Sequence, residues 1–165
     1  MLGCSKIVAF VATTDSAKAR AFYEGVLGLP FAYEDEFAIA FDANGVELRI
    51  QKVRTLTPQP HTLIGWSVTS IEQTVRALIA NGVVFERYPS LQYDAYGVWT
   101  APSGAKVAWL KDPDGNLLSL TQSTQNLNSV RQRDVCFWHK ADIPRVSSDV
   151  CFRGQSGHHS TDVCF

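Results

Sequence analysis

The feature that most constrains the fold is an internal repeat, because one order of predicted elements occurs twice within residues 6–122. In the first unit a β-type run at residues 6–13 precedes Asp15, which is placed to cap a helix that ends at Gly28. Three short strands follow, and the hairpin signal Asn44-Gly45 joins the last two. Residues 6–53 are therefore predicted to form a βαβββ module.

The same order returns in residues 62–122, after a linker that contains two prolines. A strand at residues 63–69 leads into a helix that opens with the capping-box pattern Ser70-x-x-Gln73 and stops at Asn81-Gly82. Further strands are predicted at residues 83–87, 98–101, 106–110 and 117–121. Superposing Val8 on Leu63 also brings Asp15 onto Ser70. With one additional short strand, the second unit is therefore predicted to be another βαβββ module.

Units of this length are too small to bury a sheet independently, so the two modules are expected to fold together. The predicted fold class is α+β, with tandem βαβββ modules in one domain over residues 1–122. Residues 123–165 are predicted to be a low-order tail outside that domain.

The turn Asp112-Pro113-Asp114-Gly115-Asn116, set between two apolar strands, is similar to the end of a module of the vicinal oxygen chelate superfamily. That superfamily contains glyoxalase I, the bleomycin-resistance proteins and the extradiol dioxygenases. Asp15, Phe22-Tyr23 and Leu27-Gly28-Leu29 also stand where the family places D, FY and LGL. The resemblance covers residues 6–122 and implies a cupped mixed sheet that encloses a cleft.

The resemblance also implies where a metal would bind, since the metal-dependent relatives carry four metal-ligating residues in the cleft. The corresponding positions here are Val8, Glu47, Leu63 and Ser119, of which only Glu47 has a side chain suited to a divalent ion. His61 lies two residues from the Leu63 position and would reach it only if the register were shifted by two. We therefore expect no metal and no other cofactor.

Candidate ligand-binding residues lie on the strand faces expected to line the cleft and in the loop after residue 88. They are Phe10, Glu47, Arg49, Gln51, Tyr93, Tyr96, Trp99 and Trp109. In the strand over residues 46–51 the polar set alternates with an apolar one, so Arg49 is expected to face the cleft and suit a planar anion. Two alternatives remain open: Arg49 pairs with Glu47, or Trp99 and Trp109 form a cross-strand pair.

The predicted function is that of a metal-independent small-molecule binding protein of the bleomycin-resistance type. One alternative is a metal-dependent lyase or isomerase related to glyoxalase I. Another is an interaction module whose cleft is filled by its own side chains. No nucleophile motif or phosphate loop can be placed, so whether the chain catalyses a reaction is left open.

Charge and hydropathy limit the partners. The net charge of −1 gives no electrostatic reason to expect nucleic acid or an anionic membrane surface. No apolar run is long enough to span a bilayer, and the predicted location is the cytoplasm. The expected partners are an aromatic or acidic small molecule and a second copy of the chain in a homodimer.

The tail carries three copies of Asp-Val-Cys-Phe, which begin at Asp134, Asp149 and Asp162. One interpretation is a zinc site drawn from the tail cysteines and histidines, namely Cys136, His139, Cys151, His158, His159 and Cys164. The interpretation we favour is a mobile extension of a finished domain.

Overall fold

The computed structural model describes residues 2–124, so both interpretations of the tail lie outside the described residues. A short 3₁₀ turn (Leu2–Cys4) precedes the first module. The elements of that module are β1 (Val8–Thr13), α1 (Ser16–Arg20) with a π-helical continuation (Ala21–Val26), β2 (Phe31–Glu34), β3 (Ala38–Ala43) and β4 (Val46–Lys52). Those of the second are β5 (Ile64–Ser67), α2 (Ile71–Ala80), β6 (Phe85–Glu86), β7 (Trp99–Thr100), β8 (Lys106–Lys111) and β9 (Leu117–Gln122). The α+β class is confirmed.

The two sheets share one topology, which is the structural basis of the sequence repeat. The first sheet has the strand order β1-β4-β3-β2, and the second has β5-β9-β8-β6 with β7 paired to β8. In each sheet the first strand of the module lies parallel to the last, and the remaining pairs are antiparallel. A crossover through a helix is what permits the parallel pair.

The first helix differs from the single α-helix that the sequence predicts. Asp15 caps it as expected, since its carboxylate accepts a hydrogen bond of 3.0 Å from the backbone N–H of Lys18. The helix then widens into π-helical turns, and Leu27 N–H donates to the Phe22 carbonyl. Gly28 ends it with φ at +70°, the left-handed conformation that glycine adopts without strain.

The prediction of a capping box at the start of the second helix is wrong. Ser70 occupies the N-cap position, but its side chain makes no capping bond. A different bond holds the start of the helix, since Gln122 Oε1, at the far end of the module, accepts a hydrogen bond of 2.8 Å from the Ile71 N–H. The last strand therefore fixes the start of the helix that packs on it.

The hydrophobic core is shared by the two modules. Buried residues on the helix-facing sides of both sheets belong to one cluster, which includes Ile39, Phe41, Leu110 and Leu118. The sharing agrees with the expectation that each module is too small to fold independently.

The turn between β8 and β9 contacts the first module through buried polar groups. Tyr23 is fully buried, and its hydroxyl donates to Asp112 Oδ2 at 2.9 Å. Asp112 also accepts bonds from the backbone N–H groups of Asp114 and Asn116. The Asn116 amide donates both to Asp112 and to the Ala12 carbonyl, each at 2.8 Å. The predicted turn between β8 and β9 is thus also the junction between the two modules.

Asp114 adds a second set of contacts at this junction. Its carboxylate accepts hydrogen bonds from the hydroxyls of Thr13 and Thr14, both at 2.6 Å, and from the Thr14 N–H at 2.9 Å. Burial by itself would raise the pKa of Asp114, but these hydrogen bonds outweigh it and the pKa is lowered. Asp114 is therefore stabilised as the carboxylate.

Within residues 2–124, no helix combines the length and the apolar character needed to cross a membrane.

Candidate functional site

The face of each sheet that points away from the helices carries the candidate residues. In the first sheet the parallel ladder places Val8 beside Glu47, Phe10 beside Arg49, and Ala12 beside Gln51. Partners in a ladder project from the same face of a sheet. Phe10 is 57% exposed and Tyr33 is 41% exposed, so large rings stand open on this face.

Arg49 lies at the centre of this open face. Its Nη2 donates to Asp35 Oδ2 at 3.2 Å, and its Nε lies 3.7 Å from Glu47 Oε1. The guanidinium carbon is 6.0 Å from the centre of the Phe10 ring and 5.9 Å from that of Tyr33. The Arg49–Glu47 pair that the sequence left as an alternative is present. Asp35, which lies closer to the guanidinium than Glu47 does, was not among the residues predicted from the sequence.

The remaining bonds of this surface fix its charge. The Tyr33 hydroxyl donates to Glu47 Oε1 at 2.7 Å, and this bond raises the pKa of Tyr33. Bonds from the backbone N–H groups of Phe37 and Ala38 are the main reason that the pKa of Asp35 is lowered. Two carboxylates therefore face one guanidinium. The Arg49 Nε is buried and makes no hydrogen bond among the described residues.

In the second sheet the candidate aromatic residues pack against one another. The Trp99 and Trp109 rings are 5.9 Å apart between centroids, and the Tyr88 ring meets Trp109 edge-on at 5.7 Å. Trp99 lies opposite Val107 in the ladder, two residues from Trp109, so the tryptophans form a diagonal rather than a directly opposed pair. Tyr88 was not among the predicted residues.

The loop tyrosines hold the loop to its own module. The Tyr93 hydroxyl accepts a hydrogen bond of 2.9 Å from the Tyr88 N–H. The guanidinium of Arg76, on α2, lies 4.5 Å from the centre of the Tyr96 ring. Arg87 donates to the Ala95 carbonyl at 3.1 Å. These contacts give both tyrosines a structural role, although Tyr96 stays partly exposed.

The structure therefore gathers the candidates into two groups, one in each module. Phe10, Glu47 and Arg49 join Tyr33 and Asp35, and Gln51 lies farther along the same strand face. Tyr93, Trp99 and Trp109 join Tyr88, whereas the Tyr96 ring contacts Arg76 on α2. No hydrogen bond, ion pair or ring contact among the described residues joins one group to the other.

The residues at the family's metal positions do not fit a metal. Val8 pairs with Glu47, as expected, but in the second sheet Ser119 pairs with Gly65 and not with Leu63, which lies level with Leu117. The expected register of the second module was therefore wrong by two residues, because Gly65 and not Leu63 lies beside Ser119. This shift moves the expected ligand position farther from His61. Glu47 is already engaged by Tyr33 and Arg49. Within residues 2–124 no three histidine, cysteine or acidic side chains are grouped for an ion.

Gly65 is the position where that pairing can be tested. A Cβ at Gly65 would lie 2.5 Å from Ser119 Oγ and 3.3 Å from the Ser119 carbonyl oxygen. We expect Gly65→Ala to destabilise the fold by about 1–2 kcal/mol, and the additional Ser119→Ala change to restore part of that loss in a double-mutant cycle. Gly25→Ala is the control, because nothing lies within 4 Å of its Cβ. Equal melting temperatures for Gly65→Ala and wild type would contradict the observed pairing.

The residues that sequence reasoning missed depend on local irregularity. Tyr33 reaches the open face through a shift in the β2–β3 register between Phe31 and Tyr33, which strand alternation alone does not reveal. Asp35 follows β2, and its carboxylate is oriented by the turn into β3. The signal available in the sequence was the position of Asp35, an acidic residue directly after the short aromatic strand β2.

The chain matches a family model over residues 6–120, that of the glyoxalase/bleomycin resistance protein/dioxygenase superfamily. The chain belongs to this superfamily. No curated protein matches it.

Solved structures of the superfamily share the fold. A superfamily member from Sphaerobacter thermophilus superposes with a TM-score of 0.60 at 19% identity, covering 74% of this chain and 100% of that one. A bleomycin resistance determinant encoded on the transposon Tn5 gives 0.59 at 20% identity, covering 73% and 99%. A lactoylglutathione lyase from Agrobacterium tumefaciens gives 0.57 at 15% identity, covering 72% and 93%. A resistance determinant and a lyase thus share this fold, so the fold alone does not choose between their functions.

Proposed function

We propose that the protein binds an aromatic small molecule without a metal, as a member of the bleomycin-resistance type within its superfamily. The observation that carries this proposal is the pair of exposed rings, Phe10 and Tyr33, with the Arg49 guanidinium between them on an open sheet face. Metal-dependent lyase chemistry is less well supported, because the residues at the metal positions cannot form a ligand set.

The charges around Arg49 narrow the ligand class. Asp35 and Glu47 already neutralise the guanidinium, and an acidic ligand would have to compete with both of them. The proposed ligand is therefore aromatic, and either neutral or cationic. Its ring would stack beside Phe10 and Tyr33, where aromatic contacts contribute about 0.5–1.5 kcal/mol each.

The screen that tests this proposal compares neutral, cationic and acidic aromatic compounds for their effect on the melting temperature of the full chain. A compound that binds only the folded state raises that temperature by mass action. We expect the neutral and cationic compounds to do so, and Phe10→Ala to weaken the best of them about three- to tenfold. Arg49→Lys keeps the charge but removes the planar guanidinium that lies between the two rings, and it should weaken binding by a similar factor.

Phe31→Ala is the matched control. Phe31 contacts Arg20 and the core residue Phe41, so it serves the helix-facing side of the same sheet. Its loss should leave the affinity of the folded protein unchanged. A preference for acidic compounds, or equal affinities for Phe10→Ala and Phe31→Ala, would contradict the proposed surface.

The self-packed cluster of Tyr88, Trp99 and Trp109 is what the interaction-module alternative predicts for the second sheet. A screen in which no compound raises the melting temperature would favour that alternative. The homodimer and the cytoplasmic location stay predictions from the sequence.

A further inference from the structure

A pocket lies on the helix-facing side of the second sheet, where the two modules meet. We call it the inter-module pocket. The first module contributes Leu27 and Leu29, on either side of the glycine that ends its helix. The second module contributes Leu78 from α2, together with Leu110 and Leu120 from the strands beneath. None of these residues belongs to the Arg49 surface.

The chemistry of the lining is apolar on every side. Trp66 and Val68 complete the wall formed by β5 and the residue after it. The polar groups of the lining are the Trp66 indole N–H and the Thr74 hydroxyl, which donates to the Ser70 carbonyl at 2.9 Å within the helix. The lining therefore offers no charged group to a ligand.

The size of the pocket is that of a small molecule. Its volume is about 150 Å³, which is enough for a benzene-sized guest. The pocket opens to solvent on one side, because Leu27, Leu29, Trp66, Val68 and Thr74 are only partly buried. Leu78, Leu110 and Leu120 are nearly fully buried, so a guest would contact core side chains.

We propose that the inter-module pocket is a binding site for a small uncharged apolar molecule, such as a single aromatic ring or a short alkyl chain. This site goes beyond the proposed function, since it lies on the helix-facing side of the second sheet, whereas the Arg49 surface lies on the first sheet and shares no residue with it. Because both modules line it, a guest bound there would also stabilise their docking.

Toluene is the probe, titrated into the full chain with methyl-labelled leucine and valine. We expect saturable shifts for the methyl groups of Leu78, Leu110 and Val68, and none for Val46 or Val107, which lie outside the lining. At about ten times its Kd, toluene should raise the melting temperature by about 2–5 °C. Shifts that do not saturate, or that spread equally over Val46 and Val107, would overturn the proposal.

A filling variant makes the test sharper. Thr74→Leu places a larger apolar side chain in the pocket and should abolish the toluene shifts without lowering the melting temperature. Thr100→Leu makes the same chemical change at an exposed position on β7 and should bind toluene as wild type does. Unchanged toluene binding by Thr74→Leu would overturn the proposal. Should that variant fail to fold, the methyl map of the wild-type chain decides the question.

Discussion

Asp112→Ala is expected to destabilise the folded chain by about 3–5 kcal/mol, the loss typical of removing the centre of a buried hydrogen-bond network. The change leaves the Tyr23 hydroxyl without its acceptor in a fully buried position. It also removes the acceptor for the backbone N–H groups of Asp114 and Asn116. In a domain of this size the melting temperature should fall by about 10–20 °C.

Asp42→Ala is the matched control for that experiment. Asp42 is exposed, and its carboxylate accepts one local bond from the Gly45 N–H within the β3–β4 hairpin. Its removal should cost less than about 1 kcal/mol. Equal losses for the two variants in urea denaturation would contradict the role of Asp112 as the junction between modules.

The pH dependence of the Asp112 effect has a defined sign. Burial raises the pKa of Asp112, while the bonds from Asn116 and Tyr23 oppose that rise without cancelling it. Protonation therefore favours the folded state, so this contribution is complete below the unfolded pKa of about 3.9 and is lost as the pH rises through the folded pKa. The stability difference between wild type and Asp112→Ala should be larger at about pH 4 than at neutral pH.

Phe41→Ala is expected to cost about 3–5 kcal/mol, because it opens a cavity in the shared core. Phe41 is fully buried, and its ring lies 5.8 Å from that of Tyr23 and 6.3 Å from that of Phe31. Phe37→Ala makes the same change one residue before β3, at a side chain that is 66% exposed. The two variants should differ clearly in their denaturant midpoints, with the same slope of unfolding free energy against denaturant concentration. A Phe41→Ala loss below about 1 kcal/mol would mean that this side chain is not part of the core.

The architecture was predictable from the sequence because its signals are local and occur twice. Hydrophobic patterning, the Asp15 cap, the Gly28 stop and the Asn44-Gly45 turn each restrict the backbone of a few neighbouring residues, and the structure follows all four. The capping box failed, because the Ser70 side chain makes no capping bond and the helix start is held instead by Gln122, which accepts a hydrogen bond from the N–H of Ile71, 51 residues before it. Local patterns cannot anticipate a partner brought close by tertiary folding.

The site was predictable in part, for the same reason. Strand alternation correctly placed Phe10, Glu47 and Arg49 on one face, since side-chain direction follows from the backbone. The pairing of Arg49 with Asp35 depends on a turn and a register shift that alternation does not encode. The two-residue error at Leu63 arose because matching the helix caps does not fix the register of the strands.

The most direct test of metal-independent binding is a calorimetric titration of the best neutral or cationic aromatic compound into the full chain, with and without excess EDTA. The surface of Phe10, Tyr33 and Arg49 should give the same Kd within about twofold in both, because no step of recognition uses an ion. Added zinc, nickel, manganese or iron should change neither affinity nor stoichiometry. Binding that disappears in EDTA and returns with one of these ions would contradict the proposal and favour a metal-dependent enzyme.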